Sequence, residues 1–152
     1  MHINWTYQYF TELTVDELYA IIRLRNEVFV VEQNCVFQDA DNHDLVSYHI
    51  CGWQDNHLVA YARIIPPGEI YPQPSIGRVV TSLISRKQHV GMDLMKKAIA
   101  FTQEKYPGMD IEIGAQLYLK SFYEMLGFIQ VSDLYYEDGI KHIKMKLKYV
   151  TD

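Results

Sequence analysis

Residues 76 to 95 read Ile76-Gly77-Arg78-Val79-Val80-Thr81-Ser82-Leu83-Ile84-Ser85-Arg86-Lys87-Gln88-His89-Val90-Gly91-Met92-Asp93-Leu94-Met95. The pattern is a buried strand, a short basic loop and the start of an amphipathic helix. Leu94, Met95, Ala98, Ile99 and Thr102 recur at helical spacing, while Lys96, Lys97, Gln103 and Glu104 turn outward. Pro107-Gly108 then stops the helix. A strand that hands a loop of backbone N–H groups to a helix N-terminus makes an anion site, because the first amides of a helix lack intrahelical partners and the helix dipole favours negative charge. That geometry suits a pyrophosphate. The same strand–loop–helix with one glycine also serves as an ordinary connection, and at this point both readings stand.

The chain has 152 residues, enough for one domain with its own core and no help from disulfides or metal. Hydrophobic residues make up 49% and charged residues 22%, which excludes disorder as a main theme. A net charge of −5 argues against general nucleic-acid binding, so any anion site must be local. The N-terminus shows no basic stretch followed by an apolar run, and no window approaches the ~18 apolar residues of a membrane span. Cys35 and Cys51 have no metal-type spacing, so reduced thiols, no bound metal and a cytoplasmic location are the expectation.

Outward from the opening stretch, Ile3, Trp5, Tyr7 and Tyr9 alternate as a half-buried strand. Thr14-Val15-Asp16-Glu17 is a capping box, predicting a helix from Val15 to about Phe29 or Val30. Leu18, Ile22, the stem of Arg25 and Phe29 form its inward stripe. Residues 31 to 46 have no period and read as a long loop. Strands follow at 48–54 and 58–65, joined by Asp55-Asn56-His57, and a fifth lies at 110–115 after the helix. A helix over 117–126 closes on Gly127, and 128–136 with 140–148 makes a hairpin around Glu137-Asp138-Gly139, a turn that needs positive φ. About seven strands and three or four helices in a single domain make an α+β sandwich.

The phosphate-loop stretch resembles the GNAT superfamily of acyl-CoA-dependent N-acyltransferases, whose loop runs Arg/Gln-x-x-Gly-x-Gly/Ala. Arg86 fills the first place and Gly91 the last, while His89 stands where glycine is usual. A second block, residues 114 to 128, is similar to the superfamily's strand–helix ending in Tyr-x-x-x-Gly-Phe, here Tyr123, Gly127 and Phe128. Three further segments resemble a bacterial subfamily, the ElaA-like proteins: Arg25 through Cys35, Gly77 through Val80, and Glu137-Asp138-Gly139-Ile140-Lys141-His142. The resemblance implies a mixed, mostly antiparallel central sheet flanked by the helices, with acetyl-CoA as cosubstrate. It also implies direct attack on acetyl-CoA, in a ternary complex, by a primary amine of a small molecule or peptide.

Acyl transfer from a thioester to an amine needs a deprotonated amine, oxyanion stabilisation and a proton for the departing thiolate. The resemblance gives the acid role to Tyr123. A phenol near pKa 10 beside a thiol near about 8.5 loses its proton at small cost, although a tyrosine here also suits plain core packing. Phosphate contacts fall to the backbone amides of Arg86, Lys87, Gln88, His89, Val90 and Gly91, with charge from Arg86 and Lys87. Val79, Val80 and Thr81 offer a strand edge to the pantetheine arm. Candidates for the base are Glu32, His142, Glu112, Asp39 and Asp41, with Glu32 and His142 nearest the expected acceptor end.

The run Asp39-Ala40-Asp41-Asn42-His43-Asp44 is no EF-hand, since Asp44 stands in the glycine place and Ile50 in the glutamate place. It either attracts a cationic acceptor or is simply solvated. Cys35 reads as structural. Two other functions compete with acetyl transfer. One is a non-catalytic acyl-CoA sensor, which keeps the loop without needing Tyr123. The other is an autoinducer-synthase-like enzyme, suggested by Arg25 to Phe29 but lacking an obvious S-adenosylmethionine site. Tyr135, Tyr136, Ile140 and Tyr149 on the late hairpin suggest a homodimer.

Overall fold

A computed structural model describes residues 2–86 and 88–150. In chain order the elements are β1 (Asn4–Tyr9), α1 (Val15–Arg25), β2 (Tyr48–Gln54), β3 (His57–Ile65), β4 (Ser75–Thr81) and α2 (Val90–Lys105). They continue with β5 (Ile111–Gln116), α3 (Lys120–Met125), β6 (Ile129–Gln130), β7 (Tyr135–Glu137) and β8 (Ile140–Leu147). No helix among the described residues is long and apolar enough to cross a membrane.

The Thr14 hydroxyl accepts the Glu17 N–H at 3.1 Å, and the Glu17 carboxylate accepts the Thr14 N–H at 2.8 Å, so α1 starts as its capping box requires. Its end differs from expectation. Beyond Arg25 the chain widens into a π-helix over Asn26–Glu32, continued by Gln33 N–H to Val28 O at 3.1 Å and Cys35 N–H to Val30 O at 3.1 Å. Such wide turns hold one residue more than an α-turn and concentrate at functional sites.

The expected mixed α+β fold with a mostly antiparallel sheet is present. The described residues form eight strands in two antiparallel sheets, β1-β2-β3-β4 and β5-β8-β6, with β7 on β8, against the expected seven or so. The extra strand arises because 128–136 breaks into β6 and β7. The expected helix over 117–126 is likewise split, a 3-10 turn at Leu117–Leu119 preceding α3. Two hairpin turns follow the sequence: Asp55 and Asn56 at φ 49° and 69°, and Asp138 and Gly139 at φ 51° and 78°.

The first sheet is packed on both faces. Ile21, Leu24 and Val28 cover Cys51, Tyr61 and Val80 on one side. On the other, Leu94, Met95 and Ala98 of α2 pack on Ile50, Ala60, Ala62 and Ile64, and bridge to Ile111, Ile113, Ile143 and Met145 of the second sheet. One long helix thus holds two sheets together through a shared apolar core.

Between those sheets, β4 and β5 meet near their starts, where the Glu112 N–H donates to the Pro74 carbonyl at 3.0 Å. They form no ladder beyond that contact among the described residues. A bulge in β4 accompanies the divergence. The β3–β4 register slips between Tyr61 and Arg63, and Arg78 sits at φ 51°, a left-handed conformation that a non-glycine residue holds only when its surroundings fix it.

Candidate active site

The gap between the sheets is a cleft of about 1080 Å³. Val79, Val80 and Thr81 line one wall and Gly114 and Gln116 the other. Phe122 and Tyr123 reach it from α3, Glu32, Gln33 and Cys35 from the π-helix and its sequel, and Glu137 and His142 from the β7–β8 hairpin.

At one mouth, Thr81, Arg86, His89, Val90 and Gly91 surround a smaller hollow of about 460 Å³. The loop entering it is pinned by buried Ser85, whose hydroxyl donates to Val59 O at 3.1 Å and Ser82 O at 3.0 Å. His89 takes φ 60° and ψ 18° at the N-cap of α2. The histidine therefore adopts the left-handed path that glycine would favour, and the helix still begins at Val90. Lys87 lies outside the described residues. At Gly91 an added Cβ would meet nothing nearer than Thr81 Cγ2 at 3.8 Å and Phe122 Cζ at 4.0 Å. Packing within the chain does not demand glycine there. The open space lies at the N-terminus of α2, where unpaired backbone amides favour an anion.

Arg86 and Glu32 meet side on, Arg86 Nη1 to Glu32 Oε2 at 2.6 Å and Nη2 to Oε1 at 2.7 Å. Hydrogen bonding to Arg86 lowers the Glu32 carboxyl from its ordinary range. Two site residues from opposite ends of the sequence pattern, one chosen for phosphate and one for base, thus occupy each other.

Tyr123 is 6% exposed and packs edge-on against Phe122 and Phe128, with ring centroids 5.2 Å and 5.8 Å away. Burial, with the neighbouring Tyr118 adding, pushes its phenol well above the usual value, so it stays protonated at neutral pH. His142 Nδ1 is 2.8 Å from Ile140 O, and its Nε2 is 3.5 Å from Glu137 Oε2. The Cys35 thiol is buried and donates to Asp138 O at 3.2 Å, a structural contact.

The acidic run is neither solvated nor free to attract a cation. Arg25 Nε bonds Asp39 Oδ2 at 2.8 Å and its Nη1 bonds Asp44 Oδ1 at 2.7 Å. Arg63 holds Asp41 through Nη1 at 2.7 Å and Nη2 at 2.6 Å, and reaches Asp44 at 2.8 Å. Arg78 approaches Asp39 and Asp41 at 2.9 Å and 3.2 Å. Three guanidinium groups and three carboxylates cancel, and the last arginine is the bulge residue of β4. The cluster therefore pins the bulge beside the cleft. Asp39 and Asp41 are spent in it, and Glu112 lies 3.8 Å from Lys146 on the β5–β8 ladder. Sequence reasoning missed the network. Arg25 on the inward stripe of α1 was the available signal, because a buried guanidinium requires carboxylates.

The late apolar residues divide. Tyr136 and Tyr149 are exposed, whereas Ile140 lines the cleft and the Tyr135 hydroxyl lies 2.9 Å from where a Cβ on Gly114 would stand.

Comparison with known proteins agrees with this architecture. A family model described as an acetyltransferase (GNAT) domain matches residues 15–149. Protein ElaA of Escherichia coli is 44% identical over 145 residues, covering 94% of this chain and 95% of that protein. Its crystal structure superposes with a TM-score of 0.91 at 42% identity over 97% of this chain and 100% of that one. An acyl-CoA N-acyltransferase from Pseudomonas aeruginosa gives a TM-score of 0.92 at 38% identity, covering 96% and 99%. With nearly the whole length matched in both sequence and structure, the chain belongs to the GNAT acetyltransferase family, among the ElaA-like proteins.

Proposed function

We propose that the protein moves an acetyl group from acetyl-CoA to a primary amine by direct attack in a ternary complex. One observation carries the reading: a single cleft is lined by Arg86 and Gly91 of the phosphate loop, by Tyr123 and by His142. Acetyl-CoA supplies the activated acyl group as a thioester. Its pyrophosphate takes the space at Gly91 and draws Arg86 away from Glu32, and the edge of β4 at Val79 to Thr81 pairs with the pantetheine amides. Gln88, His89 and Val90 add loop amides to the same anion seat.

His142 is the base in this reading rather than Glu32, both of whose oxygens are engaged by Arg86. Its Nε2 takes the amine proton, the freed lone pair forms the C–N bond, and the C–S bond breaks with the proton of Tyr123 passing to sulfur. Replacing Tyr123 by Phe removes that proton and leaves the ring. A fall in kcat of about a hundredfold to ten-thousandfold, with CoA affinity held in calorimetry, is the expected result. Wild-type turnover in the variant would make Tyr123 core packing, and failure of any CoA species to bind the wild type would end the reading.

A further inference from the structure

The segment Glu137-Asp138-Gly139-Ile140-Lys141-His142 forms the tip of the β7–β8 hairpin. Glu137 pairs with Ile140 and Tyr135 with His142 across the ladder, so these four side chains share one face. Glu137, Ile140 and His142 line the cleft. The Cys35 thiol, bonded to the Asp138 carbonyl at 3.2 Å, ties the tip to the segment after the π-helix.

His142 Nδ1 lies 2.8 Å from the Ile140 carbonyl, which can only accept, so Nδ1 carries a proton, and whenever the ring is neutral its lone pair lies at Nε2. That nitrogen lies 3.5 Å from Glu137 Oε2. In the neutral ring these are two acceptors 3.5 Å apart, a place that suits a donor carrying positive charge. The remaining charges on the cleft wall are already matched. Glu32 holds Arg86, Asp41 holds Arg63 and Arg78, and His43 lies 2.7 Å from Glu69. Glu137 and its neighbour Asp138 are the lining carboxylates without an arginine or lysine partner among the described residues.

We infer that Glu137 Oε2 and His142 Nε2 together form an ammonium seat, in which Glu137 is a positioning residue that selects cationic alkylamines as acceptors. The inference rests on the amine acetyl-transfer reading and deepens it. A seated ammonium donates one N–H to each acceptor. When the N–H bond to His142 breaks and Nε2–H forms, the imidazolium stands beside the Glu137 carboxylate, so the transferred charge is compensated where it lands. The nitrogen lone pair that remains attacks the thioester carbon. The second N–H proton, lost as the tetrahedral adduct collapses and the C–S bond breaks, returns to the Tyr123 oxygen that has protonated the departing thiolate.

The test uses the full chain with CoA bound and two probes of one shape, benzylammonium and uncharged benzyl alcohol, titrated while the imidazole nitrogens of His142 are followed by NMR. Glu137 is 57% exposed, so Glu137→Gln leaves the fold intact. Benzylammonium is expected to move the Nε2 resonance of the wild type and benzyl alcohol is not. Glu137→Gln should weaken the ammonium by about three- to tenfold, and Glu137→Asp should keep part of it. Equal responses to both probes, an unchanged affinity in Glu137→Gln, or no response up to tens of millimolar would overturn the seat. Thiol release with a panel of primary amines separates the two claims. Turnover with a seat insensitive to Glu137→Gln sinks the seat alone, whereas a working seat without turnover on any amine sinks acetyl transfer alone.

Discussion

Arg63 and Arg86 each grip a carboxylate with two nitrogens, Arg63 on Asp41 at 2.7 Å and 2.6 Å and Arg86 on Glu32 at 2.6 Å and 2.7 Å. Arg63 is 2% exposed and Arg86 is 36% exposed. Geometry alone does not tell them apart, and solvent does. A buried pair leaves an uncompensated charge when one partner is removed, at about 3–5 kcal/mol, whereas an exposed pair contributes about 0–1 kcal/mol. The first belongs to the frame that shapes the cleft. The second can exchange its partner, and under the proposed function the pyrophosphate of acetyl-CoA is that partner.

That contrast is most easily broken at Asp44, which accepts from both Arg25 and Arg63. Asp44→Ala is expected to cost about 3–5 kcal/mol, seen as a lower urea midpoint with unchanged slope. A loss below about 1 kcal/mol would put the cluster in the same class as the Arg86 pair.

Acid should separate the two regions next. Burial pushes the Asp41 carboxyl up, but hydrogen bonds from Arg63 and the charges of Arg63 and Arg78 outweigh it and leave the group lowered, to about 2. Asp44 is lowered for the same reasons, through Arg25 and Arg63. A carboxylate whose folded value lies below its unfolded value stabilises above the unfolded value, and that stability is lost as pH falls through the folded one. Urea midpoints are therefore expected to drop between about pH 4 and about pH 2. Added salt at neutral pH should loosen the exposed Arg86–Glu32 pair and leave the cluster nearly untouched.

The smallest effect is expected at Glu32. Glu32→Gln removes the charge that competes for Arg86, so stability should change by less than about 1 kcal/mol while CoA binds a few-fold more tightly in calorimetry. Weaker CoA binding would mean that Glu32 holds Arg86 in place for the phosphate instead of withholding it.

What could be read from the chain and what could not divide along sequence distance. The Thr14 box, the Asp55-Asn56 and Asp138-Gly139 turns and the start of the helix at Val90 are written within a few consecutive residues, and each has its expected form. His89 departs from the loop's usual glycine in identity and keeps its backbone conformation. The Arg25–Asp39, Arg63–Asp41 and Arg86–Glu32 pairs join residues 14, 22 and 54 positions apart, and no local pattern announces them. Glu32 lines the cleft, but its partner Arg86 could be known only once the π-helix and the loop had been brought together. Glu137 was visible as part of a motif and silent as to role, because the meaning of a carboxylate depends on which way a neighbouring imidazole is protonated.

The widened turn over Asn26–Glu32 makes this stretch sensitive to length in a way most surface segments are not. Deleting any one residue from Asn26 to Val31 would let the ladder close as an ordinary α-helix, and everything after it would rotate by about 100° and retract by about 1.5 Å. Glu32 would then swing away from Arg86, Gln33 from its 3.5 Å approach to Gln116, and Cys35 from the Asp138 carbonyl. A single-codon deletion there would rewrite three cleft contacts without changing one side chain that makes them. Read in reverse, one inserted residue is enough to turn an unremarkable helix end into the roof of this cleft.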